Sequence, residues 1–204
     1  YNRGKQHHSV TYNYLENRAR NLLSAGAQEN NNESHQIQYM HLIQKLWLVD
    51  VSGKLGRSTS TAENYAARNY RLHLWQVNPK ISYLFSENAS WDIFYEYQDK
   101  RNVLSYIETL KQTRIGTSFT YNGLKKISMN GEFSLYKNDF SGDALSPVAF
   151  QMLEGLQPGQ NTTWRLLFQK SLTDYLDVNL SYQGRKSETS NTIHNGSVQL
   201  RAYF

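Results

Sequence analysis

Cysteine is absent from the 204 residues, so neither disulfides nor thiolate metal sites can support this fold. Long apolar runs are missing too. The longest, Leu46 to Val49, is far below the roughly 20 consecutive apolar residues that a spanning helix needs. With 39% hydrophobic residues, three prolines and a mean hydropathy of -0.69, the chain is too polar for a helical membrane protein. Neither a methionine nor an apolar leader stands at the start, Tyr1-Asn2-Arg3, which reads as a processed product or part of a longer polypeptide. The formal charge of +5 has no basic stripe behind it, because Lys and Arg are scattered. Nucleic acid is therefore not an expected partner, whereas anionic lipid headgroups suit scattered exposed cations.

Aromatics are abundant for so polar a chain: fifteen tyrosines and four tryptophans. They fall within segments that alternate apolar and polar side chains. In the last one, Val198, Leu200, Ala202 and Phe204 share one face, while Ser197, Gln199, Arg201 and Tyr203 share the other. Leu176-Val178-Leu180-Tyr182, Ile127-Met129-Gly131-Phe133-Leu135 and Trp91-Ile93-Tyr95-Tyr97 repeat the pattern. A soluble sheet also alternates, but it needs a second apolar layer, and no segment is left over to supply one. Sealing the opposite faces into a dry core would bury many Ser, Asn, Gln and charged groups, at about 2 kcal/mol or more for each left unpaired. Repeated two-faced segments of about ten residues are instead the pattern of a transmembrane β-barrel.

Turn residues divide the chain into about ten strands, near 8–16, 35–43, 47–57, 70–85, 91–98, 112–121, 127–138, 163–170, 176–185 and 192–204. Short connections are expected at 44–46, 86–89, 123–126 and 172–175. Long polar loops are expected at 19–33, 58–69, 100–111, 141–160 and 186–191. Short turns on one rim and long loops on the other match an all-β, antiparallel, up-and-down barrel with its C-terminus periplasmic. An even strand count would let the segment close as a small barrel, or it could be one wall of a larger one. Within 141–160, Ser146 as N-cap, Pro147 as first helical residue and Gly155 beyond the end predict a short helix over Val148 to Leu153. Phe150, Met152 and Leu153 would pack on the barrel mouth or on a partner.

The expected lumen face carries Asp50, Lys54, Lys80, Asp92, Glu96, Arg114, Glu132, Arg165, Asp177, Arg185 and Arg201. Their signs nearly balance, unlike the single-sign rings of a strongly selective pore. Ion pairs are expected between Glu132 and Arg165 and between Asp177 and Arg201. Trp47, Trp91, Tyr175 and Phe204 lie at one level and predict a periplasmic aromatic girdle, with Tyr65, Tyr70, Trp75, Tyr97 and Tyr106 forming the outer one. No catalytic set is expected: His194, Ser187, Glu188 and Asp139 fall near the outer rim, but no motif links them. His7, His8 and His35 lack metal-site spacing, and no cofactor is expected.

The terminal strand Val198-Gln199-Leu200-Arg201-Ala202-Tyr203-Phe204, alternating and closed by an aromatic, resembles the C-terminal assembly signal of Gram-negative outer-membrane β-barrel proteins. Residues 152–161, followed by a strand with Trp164, are similar to the ends of large outer-membrane proteins of the surface-transport kind. The resemblance implies insertion by the barrel assembly machinery from the periplasm, with Val198, Leu200, Ala202 and Phe204 as the signal. The expected function is a porin-like or transport barrel, or a scaffold subunit contacting lipid and other outer-membrane or surface proteins. A barrel-borne protease or lipase and a soluble binding barrel are the alternatives.

Overall fold

A computed structural model describes residues 7–23, 26–105, 107–123 and 126–203. Ten strands follow one another in a single antiparallel sheet whose spatial order is the order of the chain. They are β1 (His8–Leu23), β2 (Gly26–Ile43), β3 (Trp47–Ala62), β4 (Tyr70–Ser86), β5 (Ala89–Asn102), β6 (Thr109–Gly123), β7 (Ile127–Ser141), β8 (Gly159–Thr173), β9 (Leu176–Ser187) and β10 (Ser190–Ala202). The helix α1 (Pro147–Leu153) joins β7 to β8, and a 3-10 turn at Ala66–Arg68 precedes β4. Among the described residues β1 and β10 pair only with β2 and β9, so the sheet is open.

All ten expected strands are present, most of them longer than the alternation predicted. Two expected loops are corrected. Residues 19–33 are the outward extension of the β1–β2 hairpin, paired without interruption from His8 opposite His41 to Leu23 opposite Gly26. Residues 186–191 likewise reduce to a turn at Glu188 and Thr189 between β9 and β10. Alternation could not reveal these extensions, because beyond the hydrocarbon a hairpin needs only its ladder hydrogen bonds and both faces can be polar. Three connections on that rim remain long: 63–69, 103–108 and 142–158.

The predicted helix forms. Ser146 Oγ accepts a hydrogen bond from the Ala149 amide at 3.0 Å, and Pro147 opens the first turn. The C-cap is Glu154, in the left-handed region at φ 55, with Gly155 next at φ 79. Val148, Ala149, Met152 and Leu153 are buried against Leu72 and Leu110, with Tyr70 and Phe140 at the edge of the cluster. Of the three apolar residues expected to pack, Met152 and Leu153 do, and Phe150 stays exposed.

Candidate functional site

Directly opposed residues in adjacent strands point to the same side of a sheet, so the registers decide which residues share a face. Asp50 lies opposite Lys80, Lys54 opposite Gln76, Asp92 opposite Ser82, and Glu96 opposite Arg114. Glu132 lies opposite Arg165, Arg185 opposite Thr163, and Asp177 opposite Arg201. Followed across the ten strands, these registers put all eleven charged residues expected to line a lumen on one side of the sheet. Ser, Asn and Gln fill most of the places between them.

Two expected ion pairs are corrected. Glu132 pairs with Arg114, at 2.5 Å, and not with the Arg165 opposite it. Arg114 also donates to Ser134 Oγ at 3.1 Å and lies over the Phe94 ring, 4.6 Å from its centroid. The guanidinium therefore lies diagonally across the sheet between β5 and β7. Asp177 and Arg201 are opposed without forming a salt bridge, and Asp177 instead accepts from the Tyr203 hydroxyl at 3.2 Å. Asp50 stands 3.9 Å from Lys80 and accepts from the Gln38 amide at 2.7 Å.

Toward the long-loop rim the same face carries a buried amide ladder. Gln98 donates to Gln112, which donates to Asn138 at 2.8 Å, and Asn138 donates to the Gln157 carbonyl at 2.9 Å. Ser187 donates to Asn161, which in turn donates to the Gln157 carbonyl at 2.7 Å. Gln112, Asn138 and Asn161 are each bonded at both the oxygen and the nitrogen of the amide, as burial demands. Beside the ladder, Lys100 is only 7% exposed. Its ammonium donates to the Met152 carbonyl at 3.0 Å and pairs with Glu154. Arg185 holds the far end of the loop by donating to the Gly155 carbonyl at 3.0 Å. α1 thus lies against the polar face at the outer ends of β4 to β6.

The sequence placed this helix on the barrel mouth or on a partner but did not name the residues that receive it. The signal for them was a set of apolar residues out of phase: Tyr70, Leu72, Leu110 and Phe140 occupy the otherwise polar face. Tyr70 is accordingly corrected from the outer girdle to the edge of the helix dock.

The other face is apolar over a defined height. On β4 it runs from Trp75 to Phe85, about 34 Å along the strand and about 26 Å along the membrane normal at a tilt of about 40°. That equals the apolar band of an outer-membrane barrel. Trp47, Tyr83 and Trp91 are opposed in one row near the short-turn rim, and the Trp47 and Tyr83 rings stand 4.7 Å apart. Tyr175 lies in the turn at the same rim and is 70% exposed. Trp75 and Tyr97 meet at 5.4 Å at the upper edge of the band, and Tyr65 lies beyond it in the 63–69 loop. Val198 and Leu200 are exposed on this face, and Ala202 shares it, opposite Leu176. Phe204 and Tyr106 lie outside the described residues.

Among the described residues no hydrogen bond joins any two of His194, Ser187, Glu188 and Asp139. His194 shares one with the Tyr182 hydroxyl at 2.8 Å on the apolar face, whereas Ser187 is buried on the polar face. Glu188 accepts from the Gln160 amide at 3.2 Å. No group of three or more His, Asp or Glu side chains that could hold a metal ion occurs among the described residues.

No family model matches the chain. No curated protein matches it either. Solved structures do. OmpT, an outer-membrane protein of Vibrio cholerae folded in vitro and seen in its trimer form, superposes with a TM-score of 0.55 at 10% sequence identity, covering 97% of this chain. The chain spans 65% of that protein's length. The translocator domain of the autotransporter NalP from Neisseria meningitidis gives 0.48 at 10% identity, over 98% of this chain and 75% of that one. The β domain of the Bordetella autotransporter BrkA gives 0.43 at 10% identity, over 97% and 91%. At such identities the likeness is one of fold. The chain has the fold of a Gram-negative outer-membrane β-barrel, and its apolar band has the height that such a barrel presents to lipid.

Proposed function

We propose that this chain forms the wall of a barrel whose polar face lines a water-filled passage, narrowed at the long-loop rim by α1. The observation that carries the reading is the position of α1. It is buried on the polar side, over β4 to β6, and is held there by Lys100, Leu72 and Leu110. A helix in that position reduces the open cross-section of whatever the wall encloses. With lining charges of nearly balanced sign, the passage would discriminate weakly between cations and anions. Short turns at 44–46, 87–88 and 174–175 suit the periplasmic rim, which puts the C-terminal strand there for the barrel assembly machinery. Outer-membrane lipid covers the apolar face, and the long loops are the surfaces for other outer-membrane or surface proteins.

Conductance across a planar bilayer tests the reading. Discrete steps with little charge preference are expected, growing when Lys100→Met frees α1. A silent bilayer from heat-modifiable, correctly inserted protein would overturn the passage and leave a scaffold role. No enzymatic activity is proposed: among the described residues His194, Ser187, Glu188 and Asp139 are not joined by hydrogen bonds to one another.

A further inference from the structure

The lipid-side face changes character abruptly at the upper edge of its apolar band. Two residues above Leu55 on β3 stands Arg57, and two above Trp75 on β4 stands His73, directly opposite Arg57. Arg101 on β5 is opposite His73, and Arg71 lies one step higher on β4. Three adjacent strands thus present a row of basic side chains at one level, immediately above the greasy band. Diagonal neighbours of this kind lie about 7–8 Å apart at their backbones, within reach of one common anion.

Most nearby basic groups are already paired. Arg18 is bound to Glu16 at 2.6 Å, Arg20 faces Glu29 at 3.5 Å, and Arg101 is held by Asp99 at 2.9 Å. Arg57 and Arg71 have no ion pair among the described residues. Both are exposed, and both border a groove of about 810 Å³. Arg57 also borders a second groove, of about 500 Å³, whose wall includes Leu55 and Trp75 as well as Arg101. That second groove is amphiphilic: Leu55 and Trp75 stand at its foot and Arg57 and Arg101 at its head, with Glu33, opposite Arg57, and Asp99 also on its wall.

We propose that Arg57 and Arg71, with His73 and Arg101 beside them, bind the phosphate of lipid headgroups at the long-loop rim. Guanidinium groups recognise phosphate through paired N–H donors, and the two unpaired arginines have those donors free. A soluble acidic protein or a free phosphate would satisfy the charge but leave Leu55 and Trp75 without a partner. A lipid supplies both, with its acyl chains on the band and its phosphate on the row. The site requires only that the apolar face meet lipid, and it stands whether or not the polar face conducts.

The test uses the full chain in nanodiscs of phosphatidylcholine doped with either phosphatidic acid or diacylglycerol, which differ only by the phosphate. The lipid retained on purification is quantified. Wild type is expected to enrich phosphatidic acid over diacylglycerol, and excess inorganic phosphate should not displace it. Each surface cation is worth about five-fold in headgroup binding, so Arg57→Gln with Arg71→Gln should weaken retention by about thirty-fold. Equal retention of the two lipids by wild type overturns the proposal, as does unchanged retention in the double variant. Full displacement by inorganic phosphate would identify a free-anion site instead. Should the double variant fail to insert, the comparison of the two lipids on wild type decides alone.

Discussion

Arginine placed at successive depths on the lipid side should report the membrane's dielectric profile. Tyr121 and Ala202 mark the short-turn rim on β6 and β10. Ile115 lies six residues from Tyr121, about 16 Å up at about 3.4 Å per residue and a tilt of about 40°. Leu200 lies two residues from Ala202, only about 5 Å up. In a band about 25 Å tall, Ile115 is close to the midplane and Leu200 close to an interface. Ile115→Arg should therefore cost about 2–4 kcal/mol and Leu200→Arg about 0–1 kcal/mol. Gln199→Arg, on the polar face, should be near neutral. The assay is a urea titration in vesicles followed by tryptophan fluorescence, with heat-modifiable migration confirming insertion. Equal costs at Ile115 and Gln199 would refute the assigned facing, and a larger cost at Leu200 than at Ile115 would refute the assigned depth.

Replacing Lys100 with Met keeps the stem but removes the bonds to Met152 and Glu154, so α1 should loosen, with a loss of about 1–3 kcal/mol for charge-assisted bonds; faster proteolysis within 142–158 checks this, and unchanged cleavage would contradict it. A Cβ at Gly116 would meet the Phe94 ring at 2.4 Å and the Phe133 carbonyl at 2.8 Å, whereas at Gly131 it meets only Leu166 at 3.8 Å. Gly116→Ala should thus cost about 1–3 kcal/mol in the same titration, and Gly131→Ala little or nothing. In the 103–108 loop, burial opposes the charge of Glu108, yet hydrogen bonds from Ser105 and Asn102 outweigh it and hold the carboxyl below its usual value of 4.5. With the folded value depressed, these bonds contribute fully above about pH 4.5 and are lost as the pH falls below it. The Leu104 amide donates to Asn102, whose own side-chain amide donates to Glu108, so its protection against exchange should fall in that window in wild type, and Glu108→Gln should remove the pH dependence.

What was legible in the sequence follows from where solvent imposes a rule. Within the hydrocarbon one side chain in two must be apolar, so β5, β7, β9 and β10 could be read from alternation alone, and the eleven charged residues fell on one face. Above the band the rule lapses. The β1–β2 extension carries Asn30, Asn31, Asn32 and Glu33, a composition as compatible with a loop as with a strand, and only pairing across the hairpin distinguishes them. Partner choice was also illegible. Glu132 and Arg165 share a height, but Arg114 reaches diagonally from β6 because Phe94 and Ser134 hold its guanidinium in place. The helix was readable from its caps, but its dock required treating Leu72 and Leu110 as deliberate breaks in phase.

The two outer strands of the sheet pose a physical demand of their own. A soluble sheet guards an exposed edge with proline, charge, a bulge or a short strand. β10 is 13 residues long, contains no proline, and turns Val198 and Leu200 outward beside its free hydrogen-bonding groups. In hydrocarbon each of those groups, if left unpaired, costs about 2 kcal/mol or more, so a single edge would consume most of a domain's stability. Both edges must therefore be paired in the membrane. Consecutive strands alternate in direction, so β1 rises from the short-turn rim while β10 descends to it. The two are already antiparallel, and each presents the same greasy and polar faces. A seam between them, or between each and a further hairpin of the same two-faced kind, continues the wall without reversing a strand or moving a side chain to the wrong solvent.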